Sequence, residues 1–403
     1  MEKKDVRDVN ITGKRVLMRV DFNVPLDEKL NITDDTRIRA AMPTIKYILE
    51  KDAKLVLMSH LGRPKAKPAD EFRLTPVAKR LSELLKKQVP KLDDCIGPEV
   101  EKRVAEMKAG DVILLENVRF HPGEEENDEA FSKKLASLGE VFVNDAFGSC
   151  HRAHASVEGV TKYLPSVAGF LVEKEITYFE KVLKNPEKPF SLILGGAKVS
   201  DKIGVIKNML KLADFLFIGG AMAYTFLKSR HIGVGASRVE EKKLKLAAKI
   251  FEDAAKEKTS IILPEDHIVA DRIAEDANIQ YIDDISIPED MIGLDIGPKT
   301  VAKFKSILKD SKTIVWNGPL GFFELPPFSK GTAEIARFIT TLDATTVIGG
   351  GDTAAAITQL GLEDKMSHIS TGGGASLEYL EGKILPGIAA LNDKKNSHRS
   401  VYA

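Results

Sequence analysis

Two lysines follow a glycine pair in the middle of the chain, and residues of these types can bind a polyanion. The segment PFSLILGGAKVSDKI contains an apolar run and then Gly195-Gly196, Lys198 and Lys202. The apolar run predicts a buried parallel strand, and the glycines let the backbone turn sharply beside a ligand. Ser200 and Asp201 predict that a helix opens there, so that free N–H groups and two ammonium groups would surround an anion. The residue spacing of a P-loop is absent, and a tight turn with solvated lysines explains the same sequence equally well.

In the first half of the chain, arginine and histidine residues follow successive apolar segments. A single loop arginine is normally a solvated surface charge, but five such segments at one end of a sheet favour a binding site. Guanidinium groups bind carboxylate or phosphate oxygens two at a time, so the predicted ligand is a small, multiply charged anion, with Asp21 and Asn23 binding a hydroxyl. The residues concerned are Asp21, Asn23, Arg37, His60, Arg63, Arg119, His121, His151, Arg152 and His154.

In the second half, the apolar segments end in glycine instead. Glycine-rich turns that lead into helices present backbone N–H groups, and they predict a cradle for the phosphates of a nucleotide. Asp352, at the start of one such helix, could hold Mg²⁺ directly or through water. The turns contain Gly219-Gly220, Gly293, Asn317 to Pro319 with Glu324, Gly349 to Gly351 with Asp352 and Thr353, and Thr371 with Gly372 to Gly374.

Three other chemistries have weaker support. Gly349 to Ala354 fit the G-x-G-x-x-A pattern of a dinucleotide site, but the acidic residue expected about twenty positions later is missing, which leaves an oxidoreductase as an alternative. His151 and His154 could chelate a metal, yet no second ligand pair stands out. Cys150 beside His151 is more typical of a buried or merely reactive thiol than of a nucleophile with its base, because adjacent residues rarely face each other.

Alternating apolar and helical segments must position these residues. In the first half, strands are predicted at 15–23, 54–59, 111–120 and 140–147, with helices between them. This alternation is typical of a doubly wound parallel sheet, in which ligands bind beyond the carboxyl ends of the strands. The second half repeats the alternation, with 260–270 predicted as one strand. We therefore expect an α/β protein with two doubly wound parallel-sheet, Rossmann-like lobes joined by a helix across a cleft.

The joining helix is predicted from its periodicity. Val172, Ile176, Phe179 and Leu183 fall on one helical face, and prolines at positions 186 and 189 end the pattern. A packed helix is a stiffer connection than a Gly/Ser linker. An ordinary helix that covers a sheet fits the same pattern.

Composition limits the class of protein. The 403 residues are 43% hydrophobic, which is enough for two cores, and the formal net charge of +0 argues against a general attraction to nucleic acid or to membranes. No apolar stretch reaches the length of a membrane helix, and no signal-peptide pattern begins the chain. The only cysteines, Cys95 and Cys150, form no CxxC pair, which fits a reducing cytosol. We expect a cytoplasmic location.

Eight segments, spread over nearly the whole chain and in the same order, resemble those of the phosphoglycerate kinase family. They are RVDFN at 19–23, SHLGRP at 59–64, ENVRF at 116–120, DAFGSCHRAHAS at 145–156, LGGAKVSDKI at 194–203, WNGPLGFFE at 316–324, GGGDTAAA at 349–356 and STGGGASLEYLEG at 370–382.

The resemblance implies reversible phosphoryl transfer from 1,3-bisphosphoglycerate to MgADP, giving 3-phosphoglycerate and MgATP, in glycolysis and gluconeogenesis. It implies a monomer that uses Mg²⁺ with ADP or ATP. The implied division is a phosphoglycerate-binding lobe at 1–170, an interdomain helix at 171–186, a nucleotide-binding lobe at 187–385 and a segment at 386–403 that returns to the first lobe.

The same resemblance implies residue roles. Glu324 would bind the ribose and Asp352 the Mg²⁺ ion, while Arg37 and Lys198 would flank the transferred phosphoryl group. Phe322 stands where the family tends to have a smaller residue, so the pocket wall near Glu324 is expected to differ. The implied substrate-binding residues are Asp21, Asn23, Arg37, His60, Arg63, Arg119 and Arg152. The implied nucleotide-binding residues are Gly196, Lys202, Gly220, Gly293, Asn317, Glu324, Gly350, Gly351, Asp352 and Thr353. The implied catalytic groups are Arg37, Lys198 and the N–H groups of Gly372 to Gly374, among which Gly373 and Gly374 are the residues expected to act.

Such a transfer needs no strong base, because an acyl phosphate is a good donor and its carboxylate a good acceptor. Positioning and charge neutralisation are expected to supply most of the catalysis. The anion-binding residues and the glycine turns lie in different halves, so closure of the lobes is expected to precede in-line transfer and to exclude water. A non-catalytic anion-binding scaffold remains the other alternative, and it would leave Lys198, Glu324 and Asp352 without a role.

Overall fold

The structure, a computed structural model, describes residues 2–394 of a chain that folds into two compact units. One unit is Met1–Ile176 together with Ile384–Ala403, and the other is Thr177–Lys383. Each contains a parallel sheet with helices packed on it, which confirms the predicted doubly wound α/β class. Within residues 2–394, no helix combines the length and the apolar character needed to cross a membrane.

The sheet of the first unit has the order β3-β2-β1-β4-β5, and all of its neighbouring strands are parallel. Its strands are β1 Arg15–Val20, β2 Lys54–Met58, β3 Val112–Leu114, β4 Val141–Asp145 and β5 Ser166–Ala168. Its helices are α1 Thr36–Leu49, α2 Thr75–Leu85, α3 Pro98–Ala105, α4 Pro122–Glu125 and α5 Glu129–Ala136, with 3-10 turns at Val6–Asp8, Asp70–Phe72, Val118–Phe120, Phe147–Ser149 and Gly159–Lys162. Helix α2 begins at Thr75, with Pro76 in its first turn, where the missing N–H group costs no hydrogen bond.

Strand β1 shows why this sheet is buried on both faces. Val16, Met18 and Val20 belong to the hydrophobic cluster on one face, whereas Leu17 belongs to the cluster on the other. Side chains alternate between faces along a strand, so a strand covered on both sides is apolar at successive positions. Arg19 interrupts this run and is nevertheless completely buried.

The second unit contains a six-stranded parallel sheet of order β14-β13-β12-β6-β7-β8 and a three-stranded antiparallel sheet of order β10-β9-β11. Its strands are β6 Phe190–Leu194, β7 Phe215–Ile218, β8 Ser260–Ile262, β9 His267–Ala270, β10 Ile279–Ile282, β11 Ile292–Ile296, β12 Thr313–Asn317, β13 Thr345–Gly349 and β14 His368–Ile369. Its helices are α7 Ile203–Met209, α8 Met222–Ser229, α9 Leu244–Glu257, α10 Pro298–Leu308, α11 Lys330–Ile339, α12 Gly351–Gln359 and α13 Gly374–Leu380, with 3-10 turns at Glu241–Lys243, Pro326–Phe328 and Glu363–Lys365.

The single strand predicted at 260–270 is wrong, because the chain changes sheets there. Residues Ser260–Ile262 pair in the six-stranded sheet and His267–Ala270 in the three-stranded one. Pro264 lacks an N–H group and interrupts a ladder. The carboxylate of Asp266 accepts hydrogen bonds from the backbone N–H groups of Lys299 and Thr300 at the start of α10, which holds the turn in place.

Helix α6, Phe170–Lys184, is the helix expected between the halves of the sequence. Val172, Ile176 and Phe179 on its predicted apolar face are buried, and the helix ends before Pro186. The division between the two compact units falls inside it, after Ile176.

The end of the described chain packs on the first unit. In helix α14, Pro386–Ala389, Gly387 N–H donates to the Cys150 carbonyl at 2.9 Å. Further on, Lys3 Nζ donates to the Leu391 carbonyl at 2.7 Å, and Ser166 N–H donates to Asn392 Oδ1 at 2.8 Å. The remainder of the predicted returning segment, 395–403, lies outside the described residues.

Candidate active site

The carboxyl ends of the strands in the first unit bring the predicted anion-binding residues to one edge. The strand order reverses between β1 and β4, and ligands of doubly wound sheets bind beyond the strand ends at such a point. Asp21 follows β1 directly, His60 follows β2 by two residues, and Arg119 lies in the 3-10 turn after β3. Arg152 follows β4.

Several of these side chains hold one another. Arg37 Nη1 donates to Asp21 Oδ2 at 2.6 Å. Asn23 Oδ1 accepts from the Gly62 N–H at 2.8 Å, and Arg119 Nη1 donates to the Gly62 carbonyl at 2.9 Å. The loop after β2 is therefore bound on both sides by predicted site residues.

Arg19 is a residue that the sequence analysis did not assign to the site, and it fixes the orientation of His60. Its Nη2 lies 3.0 Å from His60 Nδ1, its Nε donates to Ser156 Oγ at 2.8 Å, and its Nη1 donates to the Val20 carbonyl. A guanidinium group has donors only, so His60 Nδ1 must be the acceptor and the ring proton sits on Nε2. Burial and the nearby guanidinium groups hold the pKa of His60 well below its usual value, so the ring is neutral and offers Nε2–H as a donor.

A buried carboxylate balances the charge of Arg19. Glu124 accepts from Ser156 N–H at 2.9 Å and from Ser156 Oγ at 2.6 Å, so Ser156 bridges it to Arg19. Burial raises the pKa of Glu124, against the effect of Arg19. Beside it, burial and several arginines lower the pKa of His154 to about 4. His60 and His154 are thus neutral near pH 7, and the arginines around them supply positive charge.

Arg63 and Arg152 differ from the residues described so far because their side chains are exposed. Within residues 2–394, no hydrogen bond or ion pair holds either guanidinium group, so both are available to a bound anion. Arg152 is near enough to His154 to lower the pKa of that ring. His121, which the sequence pattern grouped with these residues, instead places Nε2 2.6 Å from Asp94 Oδ1.

In the second unit, glycines let three strand ends meet. The strand order reverses between β6 and β12, and there Gly195, Gly220 and Gly318 lie so close together that a Cβ atom at any one would lie 2.0–2.5 Å from the backbone of another segment. Gly196 N–H donates to the Pro319 carbonyl at 3.0 Å, and Met222 N–H donates to the Gly196 carbonyl at 3.0 Å. This contact needs glycine at all three positions, two of which have positive φ.

Lys202 and Asn317 lie beside these glycines. Lys202 Nζ donates to Asn317 Oδ1, and burial lowers the pKa of Lys202 although Asp201 and Asp352 act in the opposite direction. Thr353 Oγ1 accepts from Gly318 N–H at 2.7 Å, which joins the start of α12 to the end of β12. Asp352 itself is exposed in the first turn of α12.

Three other glycines face open space. No atom lies within 4 Å of a Cβ position at Gly196, Gly351 or Gly373, and the first and last of these have positive φ. Lys198, two residues after Gly196, is exposed. The glycine turns thus combine tightly packed positions with positions that leave backbone and solvent in contact.

The segments that carry Gly293 and Glu324 are neighbours in the fold, although 31 positions separate the two residues in the sequence. Phe322 N–H donates to the Leu294 carbonyl at 2.8 Å, which fixes the loop of Glu324 to β11. A Cβ atom at Gly293 would lie 2.2 Å from the Tyr224 hydroxyl, so a larger residue there would have to displace that buried side chain. The Glu324 side chain is exposed, and the Phe322 side chain is 38% exposed.

The helix predicted to open at Ser200 and Asp201 opens later, and that prediction is wrong. Helix α7 begins at Ile203. The Ser200 hydroxyl donates to Glu240 Oε1 at 2.6 Å and is not used as a helix cap. Lys198 and Lys202 therefore lie in the turn that precedes the helix.

Comparison with known proteins identifies relatives over nearly the whole chain. The family model described as phosphoglycerate kinase matches residues 6–383. A protein of Chlorobium limicola named phosphoglycerate kinase is 55% identical over 397 residues, which is 98% of this chain and 100% of that protein. One of Dictyoglomus turgidum with the same name is 57% identical over 391 residues, covering 97% and 98% of the two chains. The solved structure of phosphoglycerate kinase from Coxiella burnetii is 41% identical, with a TM-score of 0.88 over 96% of this chain and 98% of that one.

Proposed function

The chain belongs to the phosphoglycerate kinase family, and from that premise we propose how its residues transfer a phosphoryl group between 1,3-bisphosphoglycerate and ADP. The carboxyl-end residues of the first unit bind the phosphoglycerate. The glycine turns of the second unit bind the nucleotide. The two groups are Asp21, Asn23, Arg37, His60, Arg63, Arg119 and Arg152 for phosphoglycerate, and Gly196, Lys202, Gly220, Gly293, Asn317, Glu324, Gly350, Gly351, Asp352 and Thr353 for the nucleotide.

The observation that carries the first assignment is the fixed tautomer of His60. Its Nδ1 faces Arg19 at 3.0 Å, so its Nε2–H is a neutral donor among guanidinium groups. Arg63 and Arg152 add donors that no described residue binds. A ligand with both carboxylate and phosphate groups can accept from all of these, because guanidinium forks bind two oxygens each. Asp21 and Asn23 are the oxygen-bearing groups suited to its hydroxyl.

The nucleotide assignment rests on open backbone and on Lys202. Backbone N–H groups at the start of α12 and a lysine close by favour phosphate oxygens. Glu324, exposed in the loop that Phe322 N–H fixes to β11, is the carboxylate available to the ribose hydroxyls.

Asp352 fits the Mg²⁺ role. Its carboxylate is exposed in the first turn of α12, and in residues 2–394 it belongs to no cluster of preformed metal ligands. Mg²⁺ is commonly held by one or two carboxylates together with phosphate oxygens and water, and a single exposed aspartate suits that arrangement. When bound, the ion would neutralise charge on the nucleotide phosphates.

In-line transfer then depends on positioning and charge. We assign Arg37, Lys198 and the N–H groups of Gly373 and Gly374 to the oxygens of the transferred group. Arg37 is held by Asp21 at 2.6 Å, which leaves the rest of its guanidinium fork for a ligand. No strong base is required, because the acceptor carboxylate is already ionised.

Since the two sets of residues belong to different compact units, transfer requires the bound ligands to be brought together. Closure would also exclude water that would hydrolyse the acyl phosphate. Small-angle scattering with each ligand alone and with both tests this step. A radius of gyration that does not fall with both ligands present would contradict it.

The primary experiment measures ATP consumption with and without 3-phosphoglycerate. Consumption that requires 3-phosphoglycerate is expected. ATP consumption independent of it, or none, would contradict the proposed function. Binding of NAD(H), followed by fluorescence, would instead favour the oxidoreductase alternative.

A monomer in the cytoplasm completes the proposal. Two free, buried cysteines suit a reducing compartment. Sedimentation equilibrium tests the oligomeric state, and a concentration-dependent mass would contradict a monomer.

A further inference from the structure

Asp94, Cys95 and His121 form a cluster of side chains of the types that bind metals in the first unit, and none of them has a role in the proposed phosphoryl transfer. Each offers one ligand atom, and these atoms all lie within 4.8 Å of one another. The three atoms are a carboxylate oxygen, a thiol sulfur and an imidazole nitrogen. No other such cluster occurs in the part of the chain from 2 to 394.

The backbone and packing around the cluster hold it together independently of any ion. Glu116 N–H donates to the Asp94 carbonyl at 3.3 Å, which fixes the Asp94-Cys95 segment beside the end of β3. His121 precedes α4, and its ring stacks on Phe131 with centroids 5.3 Å apart. Two separate segments of chain therefore converge on the same point.

The residues differ in exposure in a way that suits an ion entering from solvent. Cys95 is completely buried, whereas the Asp94 side chain is 51% exposed and that of His121 29%. Asp94 also lines an open groove of about 530 Å³ with Asp93, Glu99 and Arg103. The sulfur thus lies at the base of the cluster and the oxygen and nitrogen at its mouth.

A mixed sulfur, nitrogen and oxygen set is characteristic of Zn²⁺, and three protein ligands leave a fourth position for water. We propose that Asp94, Cys95 and His121 bind a Zn²⁺ ion. The Cys95 thiol loses its proton when the ion binds, and His121 binds through Nε2 with its ring proton on Nδ1. Lys91, a nearby cation, is paired with Glu116 at 2.7 Å, so its charge is already balanced.

Small movements complete the site. Zinc bonds of about 2.0–2.3 Å place tetrahedral ligand atoms roughly 3.3–3.8 Å apart. The contact of 2.6 Å between His121 and Asp94 must therefore widen, and the longest separation, at most 4.8 Å, must shorten. Both changes are of about 1 Å and involve the two exposed side chains.

Metal titration of the full-length protein, without nucleotide or phosphoglycerate, tests the proposal. Zn²⁺ binding is measured by calorimetry, and Co²⁺ is used as a spectroscopic substitute. We expect one ion per chain, with a thiolate-to-cobalt charge-transfer band. Cys95→Ser should abolish that band, and His121→Ala should weaken Zn²⁺ binding at least about tenfold. Co²⁺ binding without the band, or a band that survives Cys95→Ser, would overturn the proposal.

Cys150→Ser is the matched control, because Cys150 is also free and completely buried but belongs to no ligand cluster among residues 2–394. It should leave both measurements unchanged. His121→Ala and Asp94→Asn alter side chains that are not completely buried, so they keep the test valid if Cys95→Ser fails to fold. Unchanged Zn²⁺ affinity in both of these variants would also overturn the proposal. The outcome does not depend on the roles proposed for phosphoglycerate or nucleotide binding.

Discussion

The two units present the groups that we propose to bind anions in opposite ways. In the first, side-chain donors stand at the strand ends, and a buried chain of contacts from Arg19 through Ser156 to Glu124 supports them. In the second, glycines bring strand ends into backbone contact, and Lys202 is a charge held close to them. The first proposed site consists of long charged side chains, whereas the second consists mainly of backbone groups at glycine residues.

This difference predicts how each site fails when it is altered. Shortening an exposed arginine should remove affinity or rate without unfolding the protein, because the side chain contributes little to packing. Adding a single methyl group to a packed glycine should unfold the turn, because neighbouring backbone cannot move aside. The buried Arg19 network should behave like the second site, although it belongs to the first unit.

The largest expected effect is on catalysis. Arg37→Ala should lower kcat at least about a hundredfold, because a cationic group on the transferred oxygens can be worth about 10³–10⁵ in rate. The variant should still fold, because the Arg37 side chain is 37% exposed, although losing the ion pair with the buried Asp21 should lower the melting temperature. Steady-state kinetics and thermal unfolding measure the two quantities.

Arg39→Ala is the matched control for Arg37→Ala. Arg39 lies on the same helix, is 56% exposed and pairs with Asp35. It should keep kcat close to that of the parent protein. Near-full turnover in Arg37→Ala would contradict a catalytic role for Arg37.

The next effect is on stability. Arg19→Met should lower the free energy of unfolding by about 3–5 kcal/mol, because it leaves the buried Glu124 carboxylate without its partner charge. Adding Glu124→Gln should recover part of that loss, since the second change removes the unpaired charge. Urea unfolding of both single variants and the double variant measures the coupling.

Additive losses in the double variant would mean that Arg19 and Glu124 do not act as a unit. The KM for phosphoglycerate should also rise in Arg19→Met, because His60 loses the contact that fixes its tautomer. A normal KM in a folded variant would show that Arg19 is only structural.

A smaller loss is expected at the packed glycines. Gly195→Ala would place Cβ 2.0 Å from the Pro319 carbonyl oxygen, so the free energy of unfolding should fall by about 1–3 kcal/mol or more. At Gly351, in the first turn of α12, no atom lies within 4 Å of the Cβ position, so Gly351→Ala should be neutral or slightly stabilising. Equal losses in both variants, measured by urea unfolding, would contradict the distinction between packed and open glycines.

The sequence alone predicts well which residues lie at the carboxyl edge of each parallel sheet. The carboxyl ends of parallel strands always face the same way, so residues that follow apolar runs share an edge before any contact is known. Asp21, His60 and Arg152 could be grouped on that basis. The same reasoning groups the glycine turns, because each of them also follows an apolar run at the end of a predicted strand.

What the sequence does not predict depends on contacts between distant residues. Arg19 hydrogen-bonds Ser156, 137 positions away, and the only signal for it is a charged residue inside an otherwise apolar strand. The Ser200 hydroxyl donates a hydrogen bond to Glu240, 40 positions away, so Ser200 does not cap the helix as its local sequence predicts. His121 pairs with Asp94 because the two loops are neighbours in space, which no spacing in the chain reveals.

The smallest expected effect is on the pH dependence of the free energy of unfolding, and it arises from His60 in the first unit. The pKa of His60 lies well below its usual value in the folded protein, so below about pH 6.5 the unfolded chain binds a proton that the folded protein does not. Stability from this neutral ring is therefore present near pH 7 and is lost as the pH falls through about 6.5. When the pH falls from about 7.5 to 5.5, the contribution of His60 should lower the free energy of unfolding by about 1 kcal/mol.

His60→Asn tests that loss, because its Oδ1 can still accept from Arg19 while the group no longer titrates. Buried Asp145 and Asp295, whose pKa values are raised to about 7, change stability in the opposite direction, since the folded protein holds their protons at a pH where the unfolded chain has lost them. The informative quantity is therefore the difference in pH slope between parent and variant. His231→Asn, at an exposed histidine of the second unit, is the matched control for the substitution itself. An unaltered slope in His60→Asn would mean that His60 takes up a proton in the folded protein, and a neutral Nε2–H donor could then not be assigned to it.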